Sequence, residues 1–197
     1  MAANILRDLN ADLQTAVARA RASVVRVSND EVGGGSGLIW SSEGLILTNA
    51  HVVRTPAPTV TLPDGRELPA QVRARDPQRD LALLAVKASG LPTLPLGETE
   101  HLRPGTWVLA IGHPWGVANA VTAGVIIGGG VDMPELTGTQ RDWLMVSLVL
   151  RPGNSGGPLV DAAGRLLGVN TIMTGPAVGG AVPVHVVRQF LQQATLS

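Results

Sequence analysis

The sequence predicts an all-β protein of two six-stranded antiparallel β-barrels, with one helix near each end of the 197 residues. Short apolar runs bounded by turn residues fill most of the chain, and 24 glycines and 14 prolines supply the turns. Helical spacing of apolar residues occurs only near the two ends. Apolar residues make up 45% of the chain and charged residues 15%, which is typical of a globular rather than a disordered protein.

The first half begins with a helix. Residues 4–20 place apolar side chains at intervals of three and four, so we expect an amphipathic helix within an N-terminal helical segment, residues 1–22. Strand-like runs follow at 21–28, 36–40, 44–53, 59–74 and 80–87. The run 59–74 predicts a hairpin that turns at Asp64-Gly65. Together these runs predict a first barrel over residues 23–100.

The second half predicts another barrel over residues 101–197. Its strand-like runs lie at 107–114, 118–129, 142–150, 157–173 and 180–184, and a short closing helix follows at 185–194. The stretch 88–105 is rich in proline and glycine, as suits a connection between the halves. Two barrels within one domain would leave a cleft between them, which is a natural place for a functional site.

The composition excludes several functions. Fifteen basic and fifteen acidic residues leave no net charge, so no nucleic-acid partner is expected. Without cysteine there is no disulfide and no thiol chemistry. The four histidines include no pair at metal-ligand spacing, so neither a metal nor another cofactor is expected. His101 and His113 are expected to be solvent-facing loop residues.

The sequence also contains no targeting or membrane-spanning segment. Charged residues interrupt the apolar residues at the N-terminus, so no signal peptide is expected, and no stretch approaches the length of a membrane span. The chain as written would stay in the cytoplasm, whereas a chain trimmed of a signal peptide would come from an exported protein.

The segment "RPGNSGGPLV", residues 151–160, presents Ser155 among glycines. Its G-x-S-x-G pattern fits the nucleophile elbow of α/β-hydrolases, which would pair Ser155 with Asp161 and His185. That elbow leads from a strand into a helix, but here a strand–turn–strand pattern follows and no βαβ units precede it. This alternative is therefore disfavoured.

A second arrangement takes its acid and base from the first barrel. His51 ends the strand-like run "LILTNAHVV", and Asp80 opens the apolar run "DLALLAV". Burying a carboxylate is costly unless a donor meets it, and an imidazole N–H would be such a donor. The order His51, Asp80, Ser155 thus predicts a serine activated by a histidine.

Three segments, "TNAHVV", "RDLALLAV" and "RPGNSGGPLV", resemble the catalytic segments of trypsin-like serine proteases of the HtrA/DegP type. The resemblance extends over nearly all of residues 23–185. It implies the two-barrel fold, with Ser155 as nucleophile, His51 as general base and Asp80 as the group that orients His51. It also implies that the amides of Gly153 and Ser155, with that of Asn154, form an oxyanion hole.

The resemblance further implies a serine endopeptidase that cleaves unfolded or damaged proteins. The residues implied to line the substrate pocket include no acid, which predicts cleavage after small or medium aliphatic residues. They are Val149, Leu150, Asn170, Thr171, Ile172, Ala181 and Val182. A catalytically silent peptide-binding or chaperone-like module on the same fold remains the alternative.

Several features depart from the resemblance. Val146-Ser147 occupies the place of a common Thr-Asp pair, which puts the usual support of the site in doubt. Asn154 stands where digestive proteases carry Asp, so activation by N-terminal cleavage is not expected. The sequence ends at Ser197, so no PDZ domain is expected, and the N-terminal helix lacks the aromatic residues common in trimeric relatives. Trimer formation and a resting state of the oxyanion loop both stay open.

Overall fold

The computed structural model describes residues 2–29, 33–130, 142–175 and 177–194. Two helices flank the strands: α1 spans Ala2–Arg21 and α2 spans Val184–Ala194. All pairings among the named strands are antiparallel, and the strands form two sheets. The all-β class and the two terminal helices are therefore confirmed. The division of the chain at residues 22 and 100 stays a prediction.

The first half forms a seven-stranded sheet with the spatial order β5-β4-β1-β2-β3-β7-β6. Its strands are β1 Val24–Ser28, β2 Gly34–Ile39, β3 Leu45–Thr48, β4 Thr59–Thr61, β5 Glu67–Pro69, β6 Gln71–Asp76 and β7 Leu81–Ala85. β4 and β5 form the expected hairpin around Asp64-Gly65.

This sheet is an open half-barrel, not the closed six-stranded barrel that the sequence predicts. β5 and β6 lie at opposite edges, yet only Ala70 separates them in the chain. The Ala70 N–H donates to the Pro58 carbonyl at 2.9 Å, and Pro69 has no N–H to donate. The chain therefore bends at Ala70 and passes from one edge to the other, so one predicted strand becomes two.

The second half forms the expected closed barrel of six strands, in the order β10-β13-β12-β11-β8-β9. Its strands are β8 Trp107–Gly112, β9 Ala120–Gly130, β10 Trp143–Ser147, β11 Pro158–Asp161, β12 Leu166–Gly175 and β13 Val178–Pro183. A single 3-10 turn, Pro114–Gly116, follows β8. This turn lies against the candidate site.

A shared apolar core joins the two halves. Leu38 and Leu81 of the first sheet, Ile111 and Met145 of the second barrel, and Phe190 of α2 belong to one buried cluster. Each sheet also has an apolar core of its own. Because the shared core lies between the sheets, side chains from both halves can meet at a fixed geometry at its rim.

The helix α1 packs only through its C-terminal half. Ala16 and Ala20 are buried in the shared core, and Leu13 and Val17 pack against it. The apolar residues of the first two turns are exposed instead: Ile5 by 65%, Leu6 by 62% and Leu9 by 43%. Of the helices in the described ranges, neither combines the length and the hydropathy that crossing a membrane requires.

Candidate active site

His51 and Asp80 meet at the edge of the first sheet. His51 lies in the turn after β3, and Asp80 immediately precedes β7, the neighbouring strand. The His51 Nδ1 lies 2.8 Å from Asp80 Oδ2, and the His51 backbone N–H donates to Asp80 Oδ1 at 3.0 Å. The Asp80 carboxylate is 10% exposed and the His51 side chain 43%. The acid is therefore buried and fixed at both oxygens, while the imidazole faces the cleft.

The backbone of Asp80 adopts a left-handed conformation with φ of 56°. Aspartate tolerates this region better than most residues because its short polar side chain can bond locally. Here the carboxylate bonds His51 while the backbone carbonyl accepts the Asn49 side-chain N–H at 2.8 Å. Asn49 and His51 thus anchor both ends of Asp80.

Asn49 also ties the two halves together next to the site. It is fully buried, and its amide donates to the Thr171 hydroxyl of β12 at 2.8 Å. Thr171 in turn supplies the carbonyl that accepts the Ser155 hydroxyl at 2.9 Å. The buried amide of Asn49 therefore links Asp80, which is bonded to His51, with β12, which is bonded to Ser155 through Thr171.

Ser155 faces His51 across one cavity of about 360 Å³. Its hydroxyl donates to Thr171, and among the described residues no hydrogen bond joins it to His51. A rotation about its Cα–Cβ bond is needed to bring the hydroxyl to the imidazole. The three residues are thus brought to one cleft, with the serine turned to its backbone partner.

The segment Arg151–Asn154 forms a tight turn directly before Ser155. The Asn154 N–H donates to the Arg151 carbonyl at 2.9 Å, and Gly153 has a φ of 103°. Positive φ at the third residue defines a type II turn, which favours glycine there. A Cβ on Gly153 would also collide with the carbonyl of His113.

This turn leaves two backbone amides without a hydrogen-bond partner among the described residues. The Pro152 carbonyl accepts the Trp115 N–H at 3.2 Å, and in a trans peptide the following Gly153 N–H points the opposite way. In the described part of the chain, the amides of Gly153 and Ser155 bond to no other group. The Asn154 amide is already used within the turn, so it is not free as the third donor that the resemblance implied.

Ser36 and His113 support the turn from outside. The Ser36 hydroxyl donates to the Gly153 carbonyl at 2.7 Å and accepts the His113 backbone N–H at 2.9 Å. It also lies 3.2 Å from His113 Nδ1. Burial, followed by the positive charge of Arg26, lowers the pKa of His113 from its ordinary value of 6.5. A neutral His113 therefore lies behind the turn.

The expectation that His113 is solvent-facing was wrong, whereas His101 is exposed as expected. His113 is half-buried because Ser36 of the other half reaches it, a contact between residues 77 positions apart that no local pattern reveals. The only available signals were the serine within "GGSG" and the histidine before Pro114. Val146, in place of the usual threonine, lies in the core of the second barrel, and Ser147 is exposed.

The substrate-pocket residues implied by the resemblance are only partly brought together. Leu150 and Thr171 line the cavity. Asn170, Ala181 and Val182 are buried in the barrel and do not line it, Val149 is 40% exposed outside it, and the side chain of Ile172 lies outside the described residues.

Met173, which sequence reasoning missed, also lines the cavity, and its sulfur lies 3.1 Å from the Leu150 amide nitrogen. Its place two residues after Thr171 on β12 is the signal that could have found it.

The histidine and aspartate of the disfavoured elbow arrangement lie elsewhere. Asp161 binds the Arg165 guanidinium at 2.7 Å, and His185 lies 2.7 Å from Asp142. Neither lines the cavity of Ser155. Within the described ranges, no three acidic or histidine side chains form a group that could hold a metal.

Comparisons with known proteins agree with this geometry. The profile described as a trypsin-like peptidase domain matches residues 35–169. "Serine protease HTRA2, mitochondrial" of Drosophila pseudoobscura pseudoobscura is 42% identical over 81% of this chain and 39% of its own length. "Serine protease HTRA1" of Xenopus tropicalis is 41% identical over 81% and 36%, respectively. The chain thus spans about two fifths of the length of these curated relatives.

Solved structures of HtrA-type proteases are similar to this fold. The HtrA-type protease AlgW with tripeptide superposes with a TM-score of 0.84 and 38% identity, over 91% of this chain and 62% of that one. A serine endoprotease from Yersinia pestis superposes with a TM-score of 0.81 and 33% identity, over 92% and 66%. The chain therefore belongs to the trypsin-like peptidase family, and within it to the HtrA-type serine proteases.

Proposed function

We propose that this chain is a serine endopeptidase that cleaves unfolded or damaged polypeptides through Ser155, His51 and Asp80. One observation carries the proposal. Both carboxylate oxygens of the buried Asp80 are hydrogen-bonded to His51, one of them to Nδ1, and His51 lines the same cavity as Ser155. Asp80 leaves the Nε2 of His51 as the atom that can accept the Ser155 proton.

The reaction begins when the Ser155 hydroxyl rotates from Thr171 toward His51. His51 Nε2 takes the proton as Ser155 Oγ attacks the substrate carbonyl carbon. Collapse of the tetrahedral intermediate breaks the C–N bond, and His51 returns the proton to the leaving amine. A water activated by His51 then hydrolyses the acyl-enzyme ester and restores the Ser155 hydroxyl. The Asp80 carboxylate, bonded to His51 Nδ1, stabilises the imidazolium.

Two amides would stabilise the negative oxygen of the intermediate. The proposal is supported by the Gly153 and Ser155 amides, which have no hydrogen-bond partner among the described residues, and a donor of this kind is typically worth about 3 kcal/mol. Since the neighbouring bonds from Ser36 and Trp115 already hold the turn in this conformation, we expect catalysis without a separate activator.

The cavity supports a preference for small or medium aliphatic residues before the cleaved bond. Leu150 and Met173 form its apolar end, and none of the described residues that line it is acidic. Leu150 is 6% exposed and packs near Gly179. Apolar pockets discriminate by size, at roughly 1–3 kcal/mol per methylene. Profiling with a peptide library contradicts this preference if cleavage occurs mainly after basic or acidic residues.

The first test uses a fluorophosphonate probe and intact mass. We expect one adduct on the wild type and none on Ser155→Ala, because only an assembled site makes a serine hydroxyl reactive. Ser147→Ala is the matched control, since Ser147 is exposed on β10, and it is expected to label like the wild type. Asp80→Asn is expected to lower peptide turnover by roughly 10⁴-fold, as in other Ser-His-Asp triads.

The second test measures digestion of an unfolded protein by the same variants. Digestion should disappear in Ser155→Ala and persist in Ser147→Ala. No adduct and no digestion, even with unfolded protein present, would contradict the proposal. Binding of unfolded protein that is equal in the wild type and Ser155→Ala, without digestion, would instead identify a peptide-binding module.

A further inference from the structure

We call the cavity lined by His51 and Ser155 the catalytic cavity, and the turn Arg151–Asn154 the oxyanion turn. A second cavity, of about 330 Å³, adjoins the catalytic cavity on the other side of the oxyanion turn. The two cavities share Gly34, Pro152 and Gly153, but the apolar end formed by Leu150 and Met173 belongs to the catalytic cavity alone. An extended substrate that crosses Ser155 with its acyl side toward this apolar end sends its leaving side toward the second cavity. We call this second space the leaving-side cavity.

Arg26 brings one cation to the leaving-side cavity. It pairs with Ser36 across β1 and β2, and directly opposed residues of a sheet have side chains on the same face. The Ser36 hydroxyl contacts Gly153 and His113, so the guanidinium of Arg26 lies on the side of the turn. The positive charge of Arg26 also acts on His113: it lowers the pKa of that imidazole, as a smaller cause than burial. Arg26 is exposed, and within the described residues it forms no ion pair.

Arg151 brings a second cation to the boundary between the two cavities. Its guanidinium carbon lies 4.6 Å from the centre of the Trp115 ring, a cation–π contact. Arg151 lines the catalytic cavity and Trp115 the leaving-side cavity. Trp115 is 67% exposed, yet its backbone is fixed by the hydrogen bond to the Pro152 carbonyl. The aromatic ring therefore holds the Arg151 side chain over the leaving side of Ser155.

No acidic residue lines either cavity in the part of the chain that the structure describes. The described residues that line the two cavities therefore carry positive charge and no negative charge, in a chain with no net charge. A guanidinium presents a planar fork of donors that matches a carboxylate, and Arg151 and Arg26 line the two adjoining cavities. Three extended residues reach about 10 Å, enough to cross from Ser155 into the neighbouring cavity.

We propose that the leaving-side cavity selects substrates with an acidic residue within the first three positions after the cleaved bond, held by Arg26 and Arg151. The inference rests on the proposed endopeptidase function and adds to it a charge preference that the apolar acyl-side pocket does not supply. Asp or Glu in the leaving segment would meet both cations, whereas Lys or Arg there would be repelled.

The test uses internally quenched peptides that are identical on the acyl side and carry Ala, Asp or Lys at each of the first three leaving-side positions. We expect kcat/KM to be about fivefold higher for the best Asp peptide than for Ala, as two exposed ion pairs allow, and to be lowest for Lys. Added salt should reduce the Asp-to-Ala ratio, because exposed charges are screened. Arg26→Ala should lower the ratio, and Arg26→Glu should reverse the preference toward Lys, which a merely structural role would not produce.

Arg73→Glu is the matched control, because Arg73 is exposed on the edge strand β6, away from both cavities, and its charge reversal should leave the ratio unchanged. Binding of the same peptides to Ser155→Ala separates this inference from the proposed chemistry. Cleavage without any charge preference overturns the inference and leaves the endopeptidase standing. Tighter binding of Asp peptides without cleavage by the wild type supports the charge preference and contradicts the endopeptidase function. If the Asp peptides neither bind more tightly nor are cleaved, both the charge preference and the endopeptidase function are overturned.

Discussion

At the scale of single residues, His113 shows how one half-buried side chain makes the site sensitive to pH. Its Nδ1 lies beside the Ser36 hydroxyl, which itself donates to Gly153, so the imidazole is the donor in that contact. Burial disfavours a second proton, and the positive charge of Arg26 disfavours it further. The unfolded chain therefore binds a proton at this residue more readily than the folded one.

We predict that His113 makes the fold less stable in mild acid. Because its folded pKa lies below the ordinary value of 6.5, its contribution to stability is complete above pH 6.5 and is lost as the pH falls from there through the folded pKa. The Tm of His113→Gln should thus fall less than that of the wild type between about pH 7.5 and about pH 5. The exposed His101 supplies the control, since His101→Gln should follow the wild type. Parallel Tm curves for all three proteins would show that His113 is not responsible.

The residues that carry local chemical patterns could be predicted from the sequence, and those defined by contacts across the fold could not. Asp80 before an apolar run and Ser155 among glycines are visible locally, and the structure brings both to one cleft with His51. Ser36 and His113 have no such pattern, since their meeting depends on how β2 lies against the turn after β8. The free amides of the turn likewise depend on the bond from Trp115 to Pro152.

At the scale of elements, the oxyanion turn is held by neighbours more than by its own sequence. The turn itself contributes one internal bond, from Asn154 to Arg151, and a glycine able to adopt positive φ. The outside contacts come from Ser36 and from the 3-10 turn Pro114–Gly116. These contacts fix the orientation of the peptide bond between Pro152 and Gly153. If this peptide rotated by half a turn, the Pro152 carbonyl would point to the place of the Gly153 N–H.

We predict that Ser36→Ala slows the chemistry while substrate binding is retained. The Gly153 carbonyl loses its shorter hydrogen bond, the one from Ser36, and keeps the one from the His113 N–H at 3.2 Å. The turn is therefore held less firmly but keeps its conformation. Labelling by the phosphonate probe should slow by about tenfold, less than the 10²–10³ typical of losing an oxyanion donor outright. Peptide affinity, measured in the Ser155→Ala background, should stay the same, and Ser147→Ala should label at the wild-type rate. Unchanged labelling of Ser36→Ala would show that the turn does not need this hydroxyl.

Element types follow from sequence periodicity, whereas their packing does not. The 3.6-residue spacing of residues 4–20 correctly predicts α1, but it does not show that only Ala16, Ala20 and their neighbours pack while Ile5 and Leu6 stay exposed. The hairpin at Asp64-Gly65 is likewise visible from its turn residues. The bend at Ala70, which changes the expected six-stranded barrel into a seven-stranded open sheet, depends on a tertiary bond to Pro58.

At the scale of the whole molecule, α2 joins the two sheets behind the site. It packs against β6 and β7 of the first sheet and against β12 and β13 of the second. Phe190 of α2 is 4% exposed in the shared core, and the Arg79 guanidinium donates to the Gln193 side chain at 2.9 Å. Asn49 makes the corresponding link at the cleft. The two halves are thus connected at both ends of the shared core, and His51 and Ser155 can keep a fixed separation.

We predict that the two halves unfold together in one transition. A core shared by both sheets makes separate unfolding costly, because each half alone would expose the apolar surface that the other covers. Chemical denaturation followed by circular dichroism and by tryptophan fluorescence, to which the buried Trp143 contributes, should give coincident curves. Phe190→Ala should cost about 3–5 kcal/mol, or roughly 10 °C in Tm, and still give one transition. Gln189→Ala, an exposed position of α2, is the control and should change the Tm by less than about 2 °C. Two separated transitions in the wild type would show that the shared core does not hold His51 and Ser155 at a fixed separation.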